Sequence, residues 1–161
     1  MDLSNAIFLA QSDTTAGFLS ANQMQILNAK NSPKNKAILR ESCDLSHIKD
    51  LSKIPQILCK RIRRAKKTTF IFDNGLSFRV VSESSGESRA DSSNKGANIH
   101  HAFLKRFGIL FSSSANKNGK RFDLQFAIQN ADIIVRDSRG IYEDLPSHIF
   151  KAKKSKLKKI R

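Results

Sequence analysis

The sequence predicts an α/β fold, on two observations. Short apolar runs alternate along the 161 residues with segments whose apolar positions recur at helical spacing. Gly, Pro, Asn and Ser punctuate the junctions between them. The length predicts one domain, and a domain of this size buries roughly 68–70% of its unfolded surface, enough for a real core. The centre of the pattern is Ile109-Leu110-Phe111 running into Ser112-Ser113-Ser114-Ala115-Asn116. The apolar run reads as a buried strand and the small polar residues as the loop leaving its carboxyl end, where open α/β sheets bind ligands. Serine hydroxyls there can donate to phosphate or carboxylate oxygens. A plain Ser/Asn/Gly surface turn fits the composition equally.

In chain order, Ala6-Ile7-Phe8-Leu9-Ala10 is too short for a helix and reads as a buried strand that ends in a hydroxyl-rich loop, 11–17. Ser20 with Gln23 makes a capping box for a helix over 21–30 that turns Met24, Ile26 and Leu27 inward, and Pro33 stops it. A short strand follows at 37–39. Ser46 caps a short helix to about 53, and Pro55 suits the first turn of the next, where Ile54, Ile57, Leu58 and Ile62 recur at helical spacing. Its outer face carries Lys60, Arg61, Arg63 and Arg64. Such a run is either a solvated face or a contact for RNA or phosphate.

Residues 68–81 predict a hairpin about Asn74-Gly75. A two-residue turn there sets Phe72 opposite Ser77 and Phe70 opposite Arg79, which places Arg79 on the Phe70–Phe72 face, held for an anion. Residues 82–98 read as a mobile loop of low complexity. His100 and His101 open a helix to about Phe107 with Gly108 as its stop; adjacent histidines cannot face the same way, and no metal site is drawn from them. A short helix over 122–130, a strand over 131–135, a polar loop over 136–145 and a last strand over 147–150 complete the fold. The tail 151–161 holds seven basic residues and no acid, and reads as a flexible polycation with salt-sensitive attraction to RNA.

With 29 basic and 14 acidic residues the net charge is +15, which predicts a polyanionic partner: nucleotide, RNA or a membrane surface. No run approaches a membrane span, and the first residues lack a secretory leader, so the expected location is the cytoplasm. Cys43 and Cys59 form no metal or redox motif and read as reduced thiols. Nucleophile elbow, H-E-x-x-H, Walker loop and paired carboxylates are all missing. An inventory of hydroxyls and cations on loops suits chemistry in which the protein positions anions and neutralises charge, as in nucleotidyl transfer.

Several segments together resemble the YrdC/TsaC family, the threonylcarbamoyl-AMP synthases. Ser112-Ser113-Ser114-Ala115-Asn116 with Gly119 is similar to its S-T-S-A-N-x-S-G signature, and Ser12-Asp13-Thr14-Thr15-Ala16-Gly17 to its P-T-D-T-x-Y-G loop. Lys30-Asn31-Ser32-Pro33 with Lys36 is similar to K-x-R-P-x-x-K/N, Arg79-Val80 to its R-V strand, and Pro146-Ser147-His148-Ile149 to P-S-T-I; Arg161 sits where a late arginine is expected. The resemblance spans nearly the whole chain and implies a single YrdC-like domain over 1–161, a short and divergent member. Its fold would be a twisted mixed sheet flanked by helices, with a large positively charged concave cavity.

The resemblance also implies a reaction: L-threonine, bicarbonate and ATP, with Mg2+ and no tightly bound cofactor, give threonylcarbamoyl-adenylate and pyrophosphate. A separate transferase would use the product to modify adenosine 37 of tRNA. On this reading Lys30, Lys36 and Arg79 are catalytic cations, with Arg161 beside them, because two anions must meet against Coulomb repulsion. Ser32, Lys36, Ser114, Asn116 and Arg161 hold ATP. Thr14, Ser112 and Ser147 bind threonine, with Arg79 on its carboxylate. The chain departs from the pattern at Ala16, which removes an aromatic wall, at Ser32, which removes a phosphate-binding arginine, at Lys66-Lys67, where the family has Gly-Pro, and at His148. The other reading these departures allow is a non-catalytic protein of the same fold that binds double-stranded RNA or tRNA.

Overall fold

The computed structural model describes residues 3–83 and 98–161. Nine strands and five helices lie among them: β1 Phe8–Gln11, β2 Ala16–Ser20, α1 Gln23–Ala29, β3 Leu39–Ser42, α2 Ser46–Lys49, α3 Gln56–Arg64, β4 Thr68–Phe72, β5 Ser77–Val80, α4 Ile99–Phe107, β6 Ile109–Ser114, α5 Leu124–Gln129, β7 Ile133–Ile134, β8 His148–Lys153 and β9 Lys156–Lys159. The strands form one mixed sheet in the order β7-β1-β2-β6-β3-β5-β4-β8-β9. Its parallel pairs are β1–β7, β3–β5 and β4–β8. No described helix is long and apolar enough to cross a membrane.

Side-chain alternation divides the core between the two faces of the sheet. Phe70, Phe72, Phe78 and Val80 pack under α2 and α3 through Ile48, Leu58 and Ile62. Leu9 and Phe18 face α1 and α5, while their neighbours Phe8 and Leu19 point to the other face, where Leu104 of α4 covers them. The cavity described below occupies the remainder of that second face, next to α4.

Several elements depart from the sequence expectation. The segment 16–20 is not the end of a loop but β2, buried at every residue and paired with both β1 and β6. A strand buried on both faces shows no alternation, and a run of small hydroxyl residues ahead of it hides its start. The cap of α1 is consequently Asn22, whose side chain accepts from Met24 N, and Met24 is exposed while Ile26 and Leu27 are buried. Ile57 of α3 likewise turns out to solvent. The three serines belong to β6 rather than to the loop after it.

The β4–β5 hairpin is offset by one residue from the Asn-Gly expectation. Phe70 pairs with Phe78 and Ile71 with Ser77, because Asp73, Asn74 and Gly75 form a three-residue loop with Gly75 at φ +80°. A one-residue slip moves every side chain to the opposite face. Arg79 therefore leaves the phenylalanine face and joins Thr69, Ile71 and Ser77. The basic tail is not flexible either: it continues β8 to Lys153 and folds back as β9, with Ile149 N donating to Arg161 O at 2.8 Å. Most of the mobile loop expected at 82–98 lies outside the described residues.

Candidate functional site

Charged and hydroxyl side chains from distant parts of the chain meet on one cavity of about 580 Å³. The loop between β1 and β2 gives Ser12 and Thr14, the end of α1 gives Lys30 and Ser32, and Lys36 follows. Strands β3, β4, β5 and β6 give Glu41, Thr69, Arg79, Ser112 and Ser114. Glu143, Asp144, Ser147 and Arg161 close it from the C-terminal side. The wall thus mixes the cations Lys30, Lys36, Arg79 and Arg161 with the carboxylates Glu41, Glu143 and Asp144.

Arg79 is the hub of a buried network. Its Nη1 donates to Asp13 Oδ1 at 3.0 Å and to Thr14 Oγ1 at 3.2 Å and lies 3.2 Å from Glu41 Oε1, while Nη2 donates to Thr69 Oγ1 at 3.2 Å. Thr69 Oγ1 in turn is 3.2 Å from Ser147 Oγ. Glu41 Oε2 stands 2.9 Å from Nε2 of His100, which α4 sends down onto the sheet, and Glu41 also takes a hydrogen bond from Ser112. Burial pushes the Glu41 carboxyl up, but the Arg79 guanidinium and the His100 hydrogen bond outweigh it and hold it at about 2. All four residues expected to bind threonine (Thr14, Arg79, Ser112 and Ser147) are therefore members of one hydrogen-bonded system. Arg79 Nε is buried without a partner.

Lys30 forms the second cluster. Its ammonium donates to Ser114 O, to Asn116 O at 2.5 Å and to Asn116 Oδ1 at 2.9 Å, which employs all three of its protons. Burial, with Lys36 nearby, lowers its pKa to about 8. Ser114 Oγ donates to Asn116 Oδ1 at 2.5 Å, and Asn116 Nδ2 donates to Lys120 O. Asn116 is thus half-buried, engaged with Lys30, Ser114 and Lys120, and does not line the cavity. Ser32 does line the wall, and its hydroxyl is buried and unpartnered. Lys36 is exposed, with Nζ donating to Asn118 Oδ1 at 2.7 Å; Arg161 Nε donates to Ser147 O at 3.4 Å.

Of the sequence-predicted residues, Thr14, Lys30, Ser32, Lys36, Arg79, Ser112, Ser114, Ser147 and Arg161 share the cavity, and Asn116 supports it from behind. Sequence reasoning missed Asp13, Glu41, Thr69 and His100. Glu41 stands between Arg40 and Ser42 on a short strand, with no local sign that its partners lie dozens of residues away. Thr69 was hidden by the hairpin register.

No protein-family model and no curated protein matches the chain in sequence. Solved structures do match it in shape. P. abyssi Sua5 complexed with L-threonine superposes with a TM-score of 0.69 at 13% identity, over 98% of this chain and 50% of that one. Full-length HypF in its phosphate- and nucleotide-bound form gives 0.69 at 12% identity, over 98% of this chain and 27% of that one. E. coli YciO gives 0.68 at 13% identity, over 97% of this chain and 82% of that one. The chain spans about half the length of Sua5 and about a quarter of HypF. It has the fold these proteins share, the YrdC-like mixed sheet that the sequence resemblance implies.

Proposed function

We infer that the cavity is the active site of an L-threonylcarbamoyladenylate synthase in a YrdC-like nucleotidyltransferase fold. The observation that carries this reading is the convergence of Thr14, Lys30, Arg79, Ser114, Ser147 and Arg161, spread over almost the whole chain, on a single cavity. The shape match to a Sua5 complexed with L-threonine and to a nucleotide-bound HypF supports it.

On this reading threonine lies over the Thr14–Thr69–Ser147 hydroxyls, with the unpartnered Arg79 Nε left to donate to its carboxylate. The threonine amine and bicarbonate form a carbamate, whose oxygen attacks the α-phosphorus of ATP and expels pyrophosphate. Carbamate and triphosphate repel each other, so exposed Lys36 and Arg161 at the cavity supply positive charge where the two meet. Lys30 and Asn116 hold the end of β6 in shape, and Lys30 brings its charge up against Ser114, whose hydroxyl would exchange its bond to Asn116 for one to the nucleotide. Magnesium would arrive on the ATP phosphates; it prefers oxygen ligands, and Glu143 and Asp144 on the cavity wall offer them. The adenylate would pass to a separate transferase acting on tRNA.

The test is pyrophosphate release from ATP. It should require threonine and bicarbonate together. Lys36→Ala and Arg161→Ala should each lower kcat/KM by roughly tenfold or more, a loss typical of one removed electrostatic contact, without lowering the melting temperature. Release that ignores threonine, or none under any condition, would defeat the reading.

A further inference from the structure

On the sheet face opposite the cavity lies a second concavity of about 600 Å³, between α3 and β8. Lys60, Arg61 and Arg64 of α3 and His148 of β8 line it, around an apolar floor that includes Ile57 and Phe150. Three features set it apart from an ordinary solvated helix face.

The first is charge without compensation. No carboxylate lines the groove, and among the described residues none of its cations belongs to an ion pair. The second is the floor. Ile57 is 72% exposed in the midst of these cations, and the Arg61 guanidinium lies over the Phe150 ring at 5.7 Å from its centre. An apolar surface rimmed by cations and topped by a flat guanidinium has the chemistry of a stacking platform for a base whose phosphates lie on the rim. The third is the neighbouring edge. Lys159 pairs with Phe150 and so stands on the groove's face, while on the other face Lys151 opposes Lys158 and Lys153 opposes Lys156. Like charges directly opposite one another destabilise a hairpin. On the groove's side, Lys159 thus extends the positive charge of α3 out to the edge of the sheet, with like-charged pairs behind it.

We propose that the groove between α3 and β8 is a binding site for a single-stranded RNA segment, held through its phosphates and by base stacking rather than by sequence. The occupant is single-stranded because Ile57 and Phe150 gain nothing from a duplex, which presents phosphates and keeps its bases stacked inside. A membrane is the poorer fit, since this surface is concave and its apolar part is small and bordered along α3 by Lys60, Arg61 and Arg64. The site is independent of the cavity chemistry: Phe70 and Phe150 face the groove while Thr69, Ile71 and Ile149 face the cavity.

The experiment is fluorescence anisotropy with a labelled oligouridine, titrated at several salt concentrations. A Lys60→Gln/Arg61→Gln/Arg64→Gln variant should bind about tenfold more weakly and show a salt slope smaller by about 2, the share of three phosphate contacts on a single strand. Ile57→Ser, which removes no charge, should weaken binding several-fold. The control is Lys105→Gln/Arg106→Gln on the distant α4, which should change little. All these positions are exposed, and unchanged thermal unfolding will verify that the variants fold. Equal loss in the α4 control would overturn the proposal in favour of diffuse charge. So would preferential binding of a duplex unaffected by Ile57→Ser, or binding to phosphatidylserine vesicles with none to the oligouridine.

Discussion

Glu41 stands between the Arg79 guanidinium and the His100 imidazole and is almost completely buried. Its carboxyl is depressed from 4.5 to about 2, so the unfolded chain takes up its proton first. Its contribution to stability is therefore whole above pH 4.5 and disappears as the pH falls toward 2. Glu41→Gln leaves Arg79 with Asp13 as its one carboxylate partner and should cost about 3 kcal/mol at pH 7, the scale seen when one partner of a buried pair is removed. It should also flatten the acid limb of the stability curve between pH 4.5 and 2, as followed by denaturant unfolding. A wild-type acid limb in the variant would mean that the pair is not what fixes Arg79. At this scale the sequence was readable for the residues singled out as a site: all of them except Asn116 line the cavity. Asp13, Glu41 and Thr69 were not readable as a group, because a buried ion pair is made by partners brought together only by the fold.

Two elements show what a single glycine decides. At Gly75 there is open space for a side chain, but φ is +80°, so Gly75→Ala should cost about 1 kcal/mol from backbone strain alone and leave the cavity intact. At Gly17 the backbone is ordinary and the space is not: a Cβ would stand 3.2 Å from Ser113 O of the next strand. Because that obstacle is main chain, β2 must move off β6, and Gly17→Ala should cost about 1–2 kcal/mol and weaken ligand binding at the cavity as well. Calorimetry with and without ATP separates the two substitutions; equal effects on ligand binding would contradict this account. The same two positions explain the limits of sequence reading for elements. Asn74-Gly75 announced the hairpin correctly, but the loop length, and with it the face that Arg79 occupies, depended on where along the turn the positive φ fell. Gly17 resembled a loop residue when it was the close-approach point of β2 and β6.

The whole molecule was legible in outline from its alternating strands and helices and its ordered motifs, whereas the pairing of strands was not, since nothing in a local pattern says which distant strand will be the neighbour. The order β7-β1-β2-β6-β3-β5-β4-β8-β9 places β2 beside β6 and β4 beside β8. Only the β1–β2, β4–β5 and β8–β9 contacts join strands consecutive in the chain. This arrangement has a kinetic consequence. Closing long loops must precede the pairings that reward it, so local hairpins form early and the distant partners late. Pulsed hydrogen exchange during refolding should find the β4 and β5 amides protected before those of β6. Simultaneous protection would refute that order. Since β6 carries Ser112 and Ser114, a newly made chain would spend an interval with its local hairpins in place and one wall of the cavity still unbuilt.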